Sequence, residues 1–253
     1  MSLALGMAVA VALRMQLTPY LVPLVLVASA CRMAAMPVPL ALQGNSDAWQ
    51  VKEDKSFFRT KAIHLGQFDT QKIDRSWIHG SGHSVNVGWF GGYSTKERHE
   101  SYEFIFGENK NPEMKVKCVS RFMEDVQRVT TFWGDKYSVD SNVMLGCMIK
   151  MEGTAVGELR IAGLPDSQLR GGISVDGFQF AIESVHKIEG SSIPIVEPTG
   201  YTIALDGEVI AAVQHINTPV VHMSKEMGPR LHKAIALTAS MLILFRPLEG
   251  EES

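Results

Sequence analysis

The segment that most constrains the fold of this chain is an apolar run near its end, residues 233–245. After Lys233 the run contains no charge, glycine or proline until Arg246 and Pro247 close it. Apolar or small side chains would cover every side of a helix here, and such a helix is either buried all round or spans a membrane. The run is about a dozen residues long, short of the roughly 20 needed to span a bilayer. The pattern therefore predicts a helix enclosed by the rest of the protein.

Upstream of this helix, the dominant pattern is short runs of alternating apolar and polar residues bounded by turn residues, which is typical of half-buried strands. The clearest hairpin signal is Asp206-Gly207 between two such runs, because Asp-Gly accepts the positive φ angles of a type I′ turn. Residues 121–131 fit either a short helix or a bent strand, and we interpret them as the continuation of a strand. The glycine-rich segments 80–83 and 91–93 are interpreted as flexible connections. The other predicted strands are 61–65, 84–89, 101–106, 114–120, 142–151, 156–161, 178–186, 201–205, 209–215 and 220–222.

These elements predict a mainly β protein, a single antiparallel β-barrel over residues 48–253 wrapped around a hydrophobic helix at about 229–246. Ser224 is the predicted N-cap of the helix, and Pro229 suits its first turn because the missing N–H costs little there. The alternative is a lipocalin-like barrel, whose C-terminal helix packs outside and leaves the lumen open. Apolarity on every side of the helix favours the enclosed arrangement.

The order of the last elements resembles that of a known family. The Asp206-Gly207 hairpin, the strand at 220–222 and the apolar helix resemble the end of tubby C-terminal domains and of the related LURP-one and phospholipid scramblase proteins. The resemblance covers about the last third of the chain and implies a barrel threaded by a helix. It implies no activity, because the basic residues with which tubby domains bind phosphoinositides have no counterpart here. The calcium-binding and palmitoylation motifs of scramblases are also not found.

The N-terminal region has the pattern of an export signal. Its only charges before Gln43 are Arg14 and Arg32, and the short apolar run at 20–27 leads into Ala-Ser-Ala before Cys31. A short apolar stretch followed by small residues is typical of a secretory signal. The approach to Cys31 resembles a bacterial lipoprotein box, which implies a signal peptide over 1–30 and a lipid anchor on Cys31. Residues 31–47 are then predicted to be the anchor and its tether.

The lipoprotein resemblance also implies a location in the cell. Arg32 is not the aspartate that retains lipoproteins in the inner membrane of enteric-type bacteria, so the expected location is the outer membrane, facing the periplasm. An ordinary cleaved signal and an uncleaved N-terminal anchor stay open as alternatives, as does a true start at Met1, Met7 or Met15.

The cysteine count fits export. Of three cysteines, Cys118 and Cys147 remain once Cys31 carries lipid, and an exported chain with one remaining pair favours a disulfide. Closing this loop of about 30 residues would stabilise the fold by roughly 3 kcal/mol in the chain-entropy model. Two free buried thiols are the alternative.

The densest group of potential metal ligands is His79, His83 and His99, with Glu100 following. Two histidines and a carboxylate can bind Zn²⁺, whereas histidines on a glycine-rich loop are ordinarily solvated. The sequence contains no HExxH, CxxC, GxSxG or phosphate-loop motif. No catalytic residue and no cofactor are therefore predicted, and a net charge of −3 argues against nucleic-acid binding.

The expected function is that of a membrane-anchored, non-enzymatic binding or structural domain. Its expected partners are the membrane, through the lipid, and an unidentified envelope protein or lipid. A lipocalin-like carrier of an apolar ligand and a metal-dependent envelope hydrolase using His79 and His83 are the alternatives.

Overall fold

A computed structural model describes most of the chain, and the described residues from Ala35 onward form one compact unit. The described ranges are 34–56, 59–86, 91–109, 111–131, 134–164 and 167–247. Within them the chain forms one antiparallel sheet and one long helix, preceded by a 3-10 helix at Leu40–Leu42. The elements are β1 (Ser46–Gln50), β2 (Lys52–Ser56), β3 (Arg59–Leu65), β4 (Phe68–Arg75), β5 (His79–Asn86), β6 (Gly91–Glu108), β7 (Asn111–Thr131), β8 (Gly134–Met151), β9 (Thr154–Gly163), β10 (Leu169–Val175), β11 (Phe178–Val185), β12 (Gly200–Leu205), β13 (Glu208–Gln214), β14 (Val220–Ser224) and α1 (Pro229–Leu244).

The sheet curls into a nearly closed barrel because its two edges are neighbours along the chain. Its strand order is β1-β14-β13-β12-β11-β10-β9-β8-β7-β6-β4-β3-β2, with β5 pairing β6 beside this path. β1 pairs with β14 and β2 pairs with β3, yet only Val51 separates β1 from β2. One continuous segment therefore borders both ends of the sheet. The predicted antiparallel barrel is confirmed.

The helix α1 is enclosed by the strands. Every residue from Ala234 to Leu242 is buried, and nine consecutive buried positions cover all sides of a helix. The Tyr102 hydroxyl on β6 donates a hydrogen bond of 2.9 Å to the carbonyl of Met241. From β4, Arg75 donates to the carbonyl of Leu244, where the helix has no further N–H of its own to offer. The predicted central helix is confirmed, and the alternative of an external helix beside an open lumen is wrong.

The start of α1 differs from the prediction. Pro229 occupies the first turn as expected, but the N-cap is Gly228 rather than Ser224. Ser224 remains in the sheet as the last residue of β14, opposite Ser46 of β1. Pairing with a strand distant in sequence therefore overrides the local capping preference. No helix in the described part of the chain is long and apolar enough to cross a bilayer.

Three strands are much longer than the barrel requires. β6, β7 and β8 have 18, 21 and 18 residues. β7 pairs with β6 and β8 along nearly its whole length, whereas β4 and β9 pair with only part of β6 and of β8. The first half of β6 pairs with β5, and β9 pairs with β8 only from Val143 onward. The result is a four-stranded sheet extension. It consists of residues 79–86, 91–99, 121–131 and 134–142.

The sheet extension corrects the prediction of flexible connections at 80–83 and 91–93. These residues belong to β5 and to the start of β6. The small residues allow close pairing, since a Cβ on Gly92 would lie 3.0 Å from the carbonyl oxygen of Val85. The interpretation of 121–131 as strand is confirmed by β7. β1, β2, β4 and β10 were not predicted, because polar runs such as Lys-Glu-Asp-Lys-Ser in β2 show no apolar alternation.

The predicted Asp206-Gly207 turn occurs as expected, and the described part of the predicted tether packs on the barrel. Asp206 and Gly207 have φ angles of 52° and 85°, which confirms the hairpin between β12 and β13. Residues 35–45 pack on the barrel: Met36 and Leu42 are buried against Ala212. Cys31 and the predicted signal peptide lie outside the described residues.

Candidate functional site

A large concavity lies on the outside of the barrel, whose inside is filled by α1. It has a volume of about 920 Å³ and runs across the outer faces of β6 to β10. We call it the outer groove. Its lining comprises Glu103, Lys115, Lys117, Val119, Gly146, Cys147, Met148, Lys150, Ala155, Val156, Gly157, Glu158, Leu159, Arg160 and Ser174.

Strand alternation decides which side chains face the outer groove. On β7, Val116 and Cys118 point into the core, so Lys115, Lys117 and Val119 point outward. On β8 the outward positions include Gly146 and Met148. Gly146 deepens the groove, since nothing lies within 4 Å of the place where its Cβ would stand.

The floor of the outer groove is apolar. Val119 and Met148 are 44% and 50% exposed. Single exposed apolar side chains are common, but these two lie in the same concavity. A ligand with an apolar segment would remove both side chains from water.

The wall of the outer groove carries an excess of positive charge. Lys115 on β7 lies directly opposite Lys150 on β8, and Lys117 is the next outward residue on β7. The Lys115 ammonium lies 3.2 Å from the Glu103 carboxylate. Among the described residues, Lys117 and Lys150 make no ion pair. Like charges directly opposite each other destabilise a sheet, so an anion bound here would relieve repulsion.

The predicted cysteine pair lies beneath this groove. Cys118 on β7 and Cys147 on β8 are directly opposite, and their sulfur atoms are 2.07 Å apart. The predicted disulfide is confirmed. It joins β7 and β8 at the place where they form the groove floor.

The structure brings together two of the three candidate metal ligands. His79 on β5 lies directly opposite His99 on β6, with ring centroids 5.3 Å apart. His83 lies four residues further along β5 and opposite Thr95. All three histidines are exposed on strands, not on a loop.

The expected carboxylate is not beside these histidines. Glu100 points into the barrel, is 5% exposed and accepts a 2.7 Å bond from Arg75. In the part of the chain that the structure describes, no group of three or more His, Cys, Asp or Glu side chains is placed to hold a metal ion. The combination of two histidines with Glu100 is therefore wrong, because adjacent residues of a strand face opposite sides of the sheet.

One polar cluster, centred on His64, was not predicted from the sequence. The Nδ1 of His64 lies 2.5 Å from Asp69 and its Nε2 lies 3.0 Å from Asp54. The bond to Asp69, and then the bond to Asp54, raises the pKa of His64 above its usual value. Both ring nitrogens are engaged by carboxylates, which is unlike a catalytic base with one free nitrogen. The cluster joins β2, β3 and β4. The pairing of these three strands could not be predicted from a local sequence pattern.

A second concavity, of about 500 Å³, lies at the barrel end where α1 finishes. His215 borders it, and the buried Nε2 of this histidine has no hydrogen-bond partner within the described structure. Burial lowers the pKa of His215 to about 4, against the opposing effect of a hydrogen bond to the backbone of Leu242. The neutral imidazole is thus the stable form, and it packs edge-on against Tyr201 at 5.3 Å.

Comparison with known proteins identifies no relative: no family model, curated protein or solved structure matches the chain.

Proposed function

We propose that this chain is a lipid-anchored, non-enzymatic binding protein of the bacterial cell envelope, with the outer groove as its ligand site. The small residues before Cys31 support attachment of a lipid to this cysteine. The residue after it, Arg32, supports a location in the outer membrane. The disulfide between Cys118 and Cys147 supports an oxidising compartment such as the periplasm.

The ligand that fits the outer groove best is an anionic amphiphile, a small molecule with an acidic group and an apolar chain. The observation that carries this proposal is the pairing of an apolar floor with unneutralised lysines in one concavity. Val119 and Met148 would contact the chain, and Lys117 and Lys150 the acidic group. A volume of about 920 Å³ lies within the usual range for small-molecule sites.

The test uses a dansyl-labelled long-chain carboxylate as the probe. We expect saturable fluorescence enhancement with the unmodified protein, weakened by salt because exposed charges are screened. Lys117→Glu and Lys150→Glu should each weaken binding by roughly fivefold, because an exposed charge pair contributes up to about 1 kcal/mol. Met148→Asp should weaken it as well, by placing a carboxylate against the apolar chain.

The matched control is Lys61→Glu. Lys61 is an exposed lysine on β3, outside the outer groove and without an ion pair among the described residues. Its variant should bind the probe like the unmodified protein. Equal weakening by Lys61→Glu and Lys117→Glu would show a general charge effect and contradict the proposal. So would equal affinity for a neutral alcohol probe of the same chain length.

A further inference from the structure

The sheet extension carries an exposed pair of imidazoles that the outer groove does not use. His79 and His99 occupy directly opposite positions of β5 and β6, and both side chains are exposed. Their ring centroids are 5.3 Å apart, and their planes are inclined by 25°. β5 pairs with β6 alone among the described strands, so one side of the pair borders the open edge of the sheet.

This separation of the ring centroids is compatible with a single metal ion bound by both rings. Zn–N bonds are about 2.0–2.1 Å, so the ion lies about 3.2 Å from the centroid of each ring that binds it. At a tetrahedral angle, two such rings have centroids about 5.2 Å apart, and at a right angle about 4.5 Å. The observed centroid separation of 5.3 Å is close to the tetrahedral value.

We propose that His79 and His99 form a two-ligand site for a divalent transition-metal ion, with Zn²⁺ as the best geometric match. Neutral imidazole is a preferred ligand of such ions. The other two tetrahedral positions face solvent at the sheet edge and are open to water or to an external donor, unlike the closed sites that are purely structural. This site is separate from the proposed ligand groove and does not depend on it.

The charged groups around the pair permit a cation. Arg121 on β7 lies directly opposite His99, which alone would repel a metal ion. Its Nε, however, lies 3.0 Å from the carboxylate of Glu97, the next residue of β6 on the same face. The ion pair offsets the arginine charge, and Ser81, opposite Glu97 on β5, adds none.

The experiment is a calorimetric titration of the full chain with ZnCl₂ in a non-chelating buffer near pH 7.5. We expect one equivalent to bind the unmodified protein. His79→Ala and His99→Ala should each weaken binding by about tenfold or more, since losing even an outer-shell partner costs roughly 10- to 100-fold. The double variant should no longer bind the stoichiometric equivalent of Zn²⁺.

His83→Ala is the matched control. His83 lies on the same strand and face as His79 but has Thr95, not a histidine, opposite it. This variant should keep the affinity of the unmodified protein. The proposal is overturned if His83→Ala weakens binding as much as His79→Ala, if the double variant retains the stoichiometric site, or if the unmodified protein binds no Zn²⁺ at millimolar concentration.

Amide hydrogen exchange gives an independent measurement. An ion held by both histidines links β5 to β6, so exchange in the edge strand β5 should slow on addition of Zn²⁺. The slowing should disappear in His99→Ala, whose substitution lies on the other strand. Unchanged exchange in the zinc-loaded, unmodified protein would contradict a bridging ion.

Discussion

At the scale of single residues, two histidines respond to pH in opposite directions. Burial lowers the pKa of His215 to about 4, whereas hydrogen bonds to Asp69 and then to Asp54 raise the pKa of His64. The ordinary value of both is 6.5. Below pH 6.5 the His215 side chain becomes protonated in the unfolded chain but stays neutral in the folded protein. The free energy of unfolding therefore falls as the pH falls. The His64 cluster contributes most below pH 6.5 and loses its contribution as pH rises through the raised pKa.

The acid side of the stability profile therefore tests His215. Between pH 6.5 and about 4, its contribution should fall by at most about 3 kcal/mol, and by less where water reaches the partly exposed ring. His215→Gln should flatten this slope, as measured by urea unfolding at a series of pH values. His64→Gln should leave the slope in place and remove stabilisation mainly below pH 6.5. An acid slope that is the same in His215→Gln and the unmodified protein would refute the assignment.

At the scale of elements, α1 is the interior of the barrel rather than a layer on its surface. Ile235 and Leu242, seven residues apart, lie on one face of the helix, and Leu237 and Met241, four apart, lie on another, yet all four side chains are fully buried. Arg75 also holds the helix C-terminus to β4 and, through Glu100, to β6. The strands and the helix should consequently unfold together, because the apolar side chains of each are buried against the other.

Substitution of Leu242 tests this arrangement. Leu242→Ala should lower the free energy of unfolding by about 2–5 kcal/mol, because a buried leucine is truncated within a packed core. Leu242→Asp should prevent folding, because an unpaired buried charge costs several kcal/mol against a total stability of about 5–15 kcal/mol. Met144→Asp, at an exposed apolar position on β8, is the control and should fold normally. A stable, folded Leu242→Asp protein would show that the helix is not enclosed.

At the scale of the whole molecule, the proposal is a compact barrel held to a membrane by its N-terminus. Residues 35–45 pack against the barrel, and the Met36 amide donates to Gln214 on β13. These residues, predicted as part of a tether, therefore belong to the same compact unit as the barrel.

Metabolic labelling tests the anchor. The full-length chain expressed in a Gram-negative host should incorporate radioactive palmitate and fractionate with the outer membrane. Cys31→Ala should incorporate none, because the thiol that carries the lipid is removed. Cys118→Ala is a control that keeps Cys31 and should still be labelled. Labelling that persists in Cys31→Ala would contradict the lipoprotein proposal.

The sequence alone determined the features that depend on local pattern. Apolar or small residues on all sides from 235 to 245 predicted an enclosed helix, because such a surface is unfavourable in water. Asp206-Gly207 located its hairpin, because few residue pairs accept two positive φ angles. Cys118 and Cys147 were the one pair left for a disulfide, and alternating runs marked most of the barrel strands.

Only the tertiary structure decided which distant side chains meet. Alternation shows that Lys117 and Met148 each face one side of a strand, but the register of β7 against β8 makes them neighbours in the outer groove. The same holds for His79 and His99, which the sequence grouped with Glu100, and whose pairing follows from β5 against β6. Register is set by packing over the whole sheet rather than by the residues of one strand. The helix could thus be predicted from its own residues, whereas the sites on the surrounding strands required the complete fold.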